Sequence, residues 1–362
     1  MKDVIVFGAG KLGKSLIQVL RQNIDVSVIG VADNSSKRPI ENCAIIDIND
    51  KRYIDKTVII AIAKPQSAVD VYMQLKGIGY REIFWYFPDK SGILTEEFGN
   101  IPLIDCKSWG DCVLPQVEMH IMDACNLNCR GCTHFSPAFS RQMPDFDSRM
   151  SDIKELKRIF THVAVFYILG GEPLMNPQIK DYVCEIKSLL PETSIILVTN
   201  GLLLTSIGED ILKCFRDNNV IVSISEYEPT HRMIDRIKSR LGEFGVVYQI
   251  RAYDSKQKFN KPLSLKADSI HKLKCISDGC VNIYEGKIAR CPTLMYIEHF
   301  NEVFHTSLPD EGVIRLEAVQ NGRELLDELK QSVPLCKHCI EYEIPWSSCG
   351  KEITVHDFAV DE

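Results

Sequence analysis

The chain has 362 residues, 45% of them hydrophobic and 25% charged, a composition of folded globular protein rather than disordered chain. Its 42 Lys and Arg against 49 Asp and Glu give a formal charge of −7 with no basic run, which argues against nucleic acid as a partner. No stretch approaches the ~18 apolar residues of a membrane helix and the start is unlike a signal peptide, so a cytoplasmic protein without a membrane partner is expected.

At ~150 residues per domain the length suggests two or three domains, and the chain divides into three stretches. In the first, 1–100, residues 3–7 (DVIVF) form an apolar run ended by glycines, the pattern of a buried parallel strand. Leu12, Ile17 and Leu20 follow at helical spacing. Strands are predicted at 26–31, 57–63 and 82–87, with a helix over 67–75. This is a small doubly wound sheet, about half a dinucleotide fold. Gly8, Gly10 and Gly13 lie between strand and helix, and Asp33 ends the next strand. Glycines there let backbone approach a phosphate, and an acidic residue so placed can hold a ribose hydroxyl. The segment resembles the Rossmann-like domains attached to enzymes of amino-sugar and surface-polysaccharide synthesis, which bind nucleotide sugars or have lost their ligand. A nucleotide-type ligand and a purely structural turn are both open at this point.

Residues 89–115, with scattered Gly and Pro, read as a linker. A second strand–helix series over 116–265 follows, with strands expected at 117–122, 165–169, 195–199, 220–225 and 246–252. Ile153, Leu156, Ile159, Phe160 and Val163 mark one intervening helix; Ile179, Tyr182, Val183, Ile186 and Leu190 mark another. Repeated βα units of this size fit a whole or partial barrel. In the third stretch, 266–362, Glu285-Gly286 separates apolar runs at 281–284 and 287–290, a hairpin signal.

The chain contains 14 cysteines, and nine of them are clustered. Three closely spaced thiols, Cys125, Cys129 and Cys132, follow the strand at 117–122, on a loop at the strand end where barrel enzymes carry chemistry. Three thiolates on one loop can hold three irons of a [4Fe–4S] cube and leave the fourth open. The rival is a zinc site, for which only His134 lies close enough in sequence to be the fourth ligand.

The triplet resembles the hallmark of the radical S-adenosylmethionine (SAM) superfamily. Gly170-Gly171-Glu172-Pro173, at the end of the next predicted strand, is similar to the family segment that binds the methionine amino group. Thr199 and Asn200 end the third strand, and Ser223 and Ser225 the fourth, where the family contacts methionine and ribose. The resemblance covers roughly residues 116–253. It implies a partial (β/α)6 barrel, a [4Fe–4S] cluster with an open iron, bound SAM, a flavodoxin- or ferredoxin-type electron donor, and hydrogen abstraction by a 5′-deoxyadenosyl radical. One departure is Gly131, where the family often has an aromatic residue shaping the adenine site; Phe135 is the candidate substitute.

The C-terminal pattern resembles the twitch domain of some superfamily members. That resemblance implies one auxiliary [4Fe–4S] cluster on Cys275, Cys291, Cys336 and Cys339, with a four-cysteine zinc site as the rival and Cys280 and Cys349 left over. A fully ligated cluster there could accept an electron from a substrate radical and so make the net reaction an oxidation. His120 reads as a hydrogen-bonded core residue, with a cavity-facing catalytic one as the alternative, and His134 as a solvated loop residue, with support of the cysteine site as the alternative. Glu226, Tyr227, His231 and Arg251 lie where barrel loops touch substrate, but none is singled out as acid or base. The expected function is an α/β radical enzyme that dehydrogenates or epimerises a small polar molecule of the sugar or nucleotide-sugar class. The alternatives are a maturase of ribosomally made peptides and a non-catalytic, zinc-stabilised nucleotide-binding scaffold.

Overall fold

The computed structural model describes residues 1–35, 38–87, 98, 101–139, 143–267, 275 and 279–361. It divides into two compact units, Met1–Pro115 and Gln116–Glu362.

The first unit is one sheet in the order β2-β1-β3-β4-β5. Its strands are β1 (Lys2–Phe7), β2 (Val26–Ala32), β3 (Thr57–Ile60), β4 (Ile83–Tyr86) and β5 (Leu103–Asp105), with helices α1 (Lys11–Leu20) and α2 (Pro65–Ile78). The first four strands are parallel, and β5 pairs antiparallel with β4 through Trp85 and Ile104. Here the expectation of a linker over 89–115 is corrected. Phe98, Ile101 and Leu103 join the core beneath α1, where they pack with Leu16, Ile17 and Leu20. A three-residue strand is too short for periodicity to reveal, and burial recruits it.

The glycine turn is built on close approach. A Cβ on Gly13 would stand 1.8 Å from the Gly8 carbonyl oxygen, whereas one on Gly10 meets nothing within 4 Å. Gly13→Ala is therefore expected to destabilise the first unit by about 3 kcal/mol and Gly10→Ala by less than about 1 kcal/mol, a contrast that urea unfolding of the two variants checks.

In the second unit, an eight-stranded sheet runs in the order β10-β9-β8-β7-β6-β12-β13-β14. The barrel-type strands are β6 (Val113–Met122), β7 (His162–Gly170), β8 (Ser194–Thr199), β9 (Ile221–Ser225) and β10 (Tyr248–Arg251). The connecting helices are α3 (Phe146–Ile159), α4 (Ile179–Leu189), α5 (Glu209–Asp217), α6 (Glu228–His231) and α7 (Ile234–Glu243). Helix α4 shows why these helices form: Ile179, Tyr182, Val183 and Ile186 repeat at helical spacing and are all buried.

Two details differ from the expected (β/α)6 series. Among the described residues, five parallel strands follow one another in chain order. The next strand, β11 (Lys258–Ser264), leaves the edge of β10 and pairs instead with β15 (Cys339–Pro345) and β16 (Ala359–Val360) in a separate sheet. The sixth parallel strand is β12 (Asn282–Tyr284), which joins at the opposite edge with Asn282 beside Glu118. Strand β12 forms the expected hairpin with β13 (Lys287–Ala289), and Glu285 and Gly286 at its turn have φ of 48° and 72°. Strand β14 (Ile314–Arg315) then pairs with β13. Helices α8 (Pro292–Met295), α9 (Ile297–Phe304) and α10 (Gly322–Lys330) complete the unit. Residues 266–362 thus share a compact unit with the barrel strands, and the boundary drawn at 265 lies just past a strand that belongs to the C-terminal sheet. Among the described residues, no helix is long and apolar enough to cross a membrane.

Candidate active site

Strand β6 ends at Met122, and the loop beyond it carries the cysteine triplet. The loop curls tightly because Asn128 and Gly131 adopt left-handed backbone, φ 48° and 71°, conformations that Asn tolerates and Gly favours. Cys125, Cys129 and Cys132 thereby come to line one cavity of 210 Å³. The same cavity is lined by Gly170 and Gly171 after β7, by Thr199 and Asn200 after β8, and by Ser225 at the end of β9. Four successive strand ends converge on it.

Gly170 and Gly171 earn their place by sterics. A Cβ on Gly170, whose φ is 151°, would lie 2.1 Å from the Met122 carbonyl oxygen; one on Gly171 would lie 2.3 Å from that of Ala124. The contact is locked by Gly171 N–H donating to Met122 O at 2.7 Å and Glu172 N–H donating to Ala124 O at 2.9 Å. The glycines bring the end of β7 against the base of the cysteine loop.

Glu172 and Pro173 are buried and are not among the residues lining the cavity. The Glu172 carboxylate is a clamp: it accepts from Thr199 Oγ1 at 2.7 Å, Asn200 N at 2.9 Å and Leu174 N at 3.1 Å. Burial pushes its pKa up to about 7 against the pull of those donors. Glu172→Ala would strand the buried Thr199 hydroxyl and Asn200 amide, so a loss of about 3 kcal/mol in urea unfolding is expected. An unchanged unfolding midpoint would mean that the clamp carries no stability.

Ser223 is buried, is not part of the cavity lining, and its hydroxyl finds no hydrogen-bond partner among the described residues. Phe135 corrects another expectation. It is fully buried against Phe300 and Phe358, with ring centroids 4.7 and 5.8 Å away, and does not line the cavity. The aromatic side chains on the cavity wall are instead Tyr227 and Phe259, 5.9 Å apart. Arg251 also lines it and forms no ion pair among the described residues.

His134 is not a solvated loop residue. Its Nε2 lies 3.6 Å from Glu118 Oε2, and its ring is 4.9 Å from that of His120. His120 is buried, stacked on Tyr296 at 4.3 Å, with Nδ1 3.4 Å from Asp123 Oδ1. His231 lies on the outer side of Glu226, 2.7 Å from its carboxylate.

Burial pushes the Cys125 thiol up to about 11 and Cys129 further. Burial also acts on Cys132, but the adjacent His134 imidazole outweighs it and lowers that thiol.

Of the C-terminal cysteines, Cys291 follows β13, Cys336 lies just before β15 and Cys339 opens it. Cys291 responds to the charges of Cys339 and Cys275, and Cys339 to those of Cys336 and Cys275; burial, the larger effect, pushes both thiols up to about 12. Cys275 is exposed, and Cys336 accepts from Val333 N at 3.4 Å. Of the surplus pair, Cys280 is near Glu118 and Cys291, whereas Cys349 is near Cys132, in the neighbourhood of the other triplet.

In the first unit, Asp33 Oδ2 accepts from Ala9 N at 2.7 Å and its Oδ1 from Ser35 N at 2.7 Å. The carboxylate thus ties the turn containing Gly8 and Gly10 to the end of β2.

Residues 119–241 match the Radical SAM superfamily. GTP 3',8-cyclase of Microcystis aeruginosa is 29% identical over 96 residues, 26% of this chain and 29% of that protein. The same enzyme of Crocosphaera subtropica is 31% identical over 98 residues, again 26% and 29%. The chain therefore spans under a third of the length of these curated relatives. Among solved structures, BtrN in complex with AdoMet and 2-DOIA is similar over 62% of this chain and 92% of that one, at 14% identity and a TM-score of 0.39. Native anSMEcpe with bound AdoMet and a peptide is similar over 38% and 42%, at 19% identity and a TM-score of 0.31. Residues 119–241 of this chain are a radical SAM domain, the domain of a superfamily whose cofactors are a [4Fe–4S] cluster and SAM.

Proposed function

We propose that Cys125, Cys129 and Cys132 hold the cluster of this domain, that the adjoining cavity takes SAM, and that the enzyme dehydrogenates a sugar or nucleotide sugar, with epimerisation as the next outcome. The observation that carries the reading is the shared cavity: three sulfur donors face the ends of β7, β8 and β9 across 210 Å³. The donor set fits iron. The buried Cys125 and Cys129 thiols, which resist ionisation, become thiolates when a cation neutralises them, and Cys132 ionises more readily beside His134. Three thiolates leave one iron of a cubane for an outside ligand. When bound, the reduced cluster and SAM supply a carbon radical that removes a hydrogen atom from substrate.

The chain's own contribution is placement and exclusion of water. Gly170 and Gly171 line the side of the cavity offered to the methionine end of SAM, and the Ser225 hydroxyl lies where its ribose would sit beside Thr199, whose own hydroxyl is held by Glu172. Glu172 holds the Thr199–Asn200 turn in place, as the bonds above require. Tyr227 and Phe259 give the cavity an apolar wall. Arg251, which forms no ion pair among the described residues, offers donors to phosphate or hydroxyl groups, which favours a nucleotide-sugar-like substrate. Cys275, Cys291, Cys336 and Cys339 are proposed to hold the auxiliary cluster, which would receive the electron left on the substrate and make the net reaction an oxidation. The turn at Gly8, Gly10, Gly13 and Asp33 is proposed as a nucleotide-binding position of the first unit. A flavodoxin- or ferredoxin-type protein would supply the reducing electron.

The test is incubation of reduced, iron-loaded enzyme with SAM and candidate sugars, nucleotide sugars and peptides. Formation of 5′-deoxyadenosine that depends on a sugar, with deuterium carried into it from one labelled carbon, is the expected result. Stimulation by a peptide and by no sugar would overturn the substrate class.

A further inference from the structure

The C-terminal segment after β15 lies along the cysteine loop as an added strand. Arg130 N–H donates to Ser347 O at 2.9 Å and Cys349 N–H to Asn128 O at 2.7 Å, and Cys129 and Ser348 form a β-bridge. Gly131 N–H donates to Asp357 O at 2.7 Å, and Arg130 Nε to Asp357 Oδ1 at 2.9 Å. Trp346 N–H donates to Gln257 O at 2.8 Å, which anchors the segment to the start of β11. Within this frame the Trp346 indole Nε1 lies 3.2 Å from Cys129 Sγ, and its ring stacks on Tyr227 with centroids 5.5 Å apart. Backbone bonds hold the segment on either side of the loop, and the Tyr227 ring lies against the indole.

We infer that Trp346 is a positioning residue whose indole N–H donates to the Cys129 sulfur and raises the reduction potential of the cluster this loop holds. The inference rests on the proposed ligand role of Cys129. Reduction adds one electron and one negative charge to the cluster without making or breaking a bond, so a donor to a ligand sulfur stabilises the reduced form more than the oxidised one. A hydrogen bond to a charged group contributes about 1.5 kcal/mol, about a tenfold change in equilibrium.

The experiment is a potentiometric titration of the iron-loaded protein with titanium(III) citrate, followed by EPR, in wild type and Trp346→Phe. Phenylalanine keeps a ring against Tyr227 and removes only the donor. At a fixed potential the reduced-to-oxidised ratio is expected to fall about tenfold, a shift of about −59 mV for a one-electron couple. A second readout needs no variant: in wild type labelled with 15N-indole tryptophan, the reduced cluster should show hyperfine coupling to that nitrogen. A ratio within twofold of wild type overturns the inference, and so does absence of the 15N coupling, which decides the matter even if Trp346→Phe fails to hold iron. A wild-type protein that binds iron only through the C-terminal cysteines would remove the ligand reading itself, and the inference with it.

Discussion

Replacing Cys125, Cys129 and Cys132 together by alanine is expected to remove about four irons per chain and to abolish reductive cleavage of SAM. Among the described residues these three are the cysteines lining the cavity, so no other cysteine on its wall can take over. Replacing Cys275, Cys291, Cys336 and Cys339 is expected to remove a further four or so irons while SAM cleavage persists, because those thiols are not among the residues lining the cavity of the triplet. Iron and sulfide analysis of anaerobically reconstituted protein, with chromatography of 5′-deoxyadenosine, checks both. Full iron content and cleavage in the first variant would end the ligand assignment. Stoichiometric zinc in colourless wild-type protein would favour the scaffold reading instead.

Gly171→Ala should cost more than a methyl group ordinarily does. The new Cβ would stand 2.3 Å from Ala124 O and 2.6 Å from Asp123 O, both fixed backbone atoms at the root of the cysteine loop. No rotamer change can relieve that overlap, so β7 must part from β6 or the loop must move. A destabilisation of about 3 kcal/mol or more is expected, with loss of iron from the central site. Urea unfolding and iron analysis measure the two effects separately. A stable, fully loaded Gly171→Ala protein would show that the approach of these strand ends is not needed. Gly10→Ala, which fills open space, is the matched control.

The barrel strands and the hairpin were legible because each is a local pattern: an apolar run ended by turn residues, or two short runs flanking Glu285-Gly286. The cysteine triplet and the glycine pair were legible for a similar reason, since each sits directly after such a run. Strand β5 was hidden by its three-residue length. Strands β11 and β15 escaped notice because their pairing joins Lys258 to Pro345 across most of the C-terminal quarter of the chain. With them were lost Phe259 on the cavity wall and Trp346 beside Cys129. Neither residue lies in a segment whose own spacing announces chemistry.

The motifs themselves are a matter of covalent order. Cys125, Cys129 and Cys132 share a loop whatever surrounds them, and Gly170-Gly171 must end the strand that precedes it. Which atoms then face the cavity depends on packing between segments far apart in the chain. Glu172 belongs to the same tetrapeptide as the two glycines, yet its carboxylate is taken up by the Thr199–Asn200 turn because two buried donors there, with Leu174 N as a third, require an acceptor. Phe135 was within reach of the loop in sequence, but its ring is fully buried against Phe300 and Phe358, which removes its apolar surface from water. The identities of neighbours in space, set by that competition for burial and hydrogen bonds, came only with the tertiary fold.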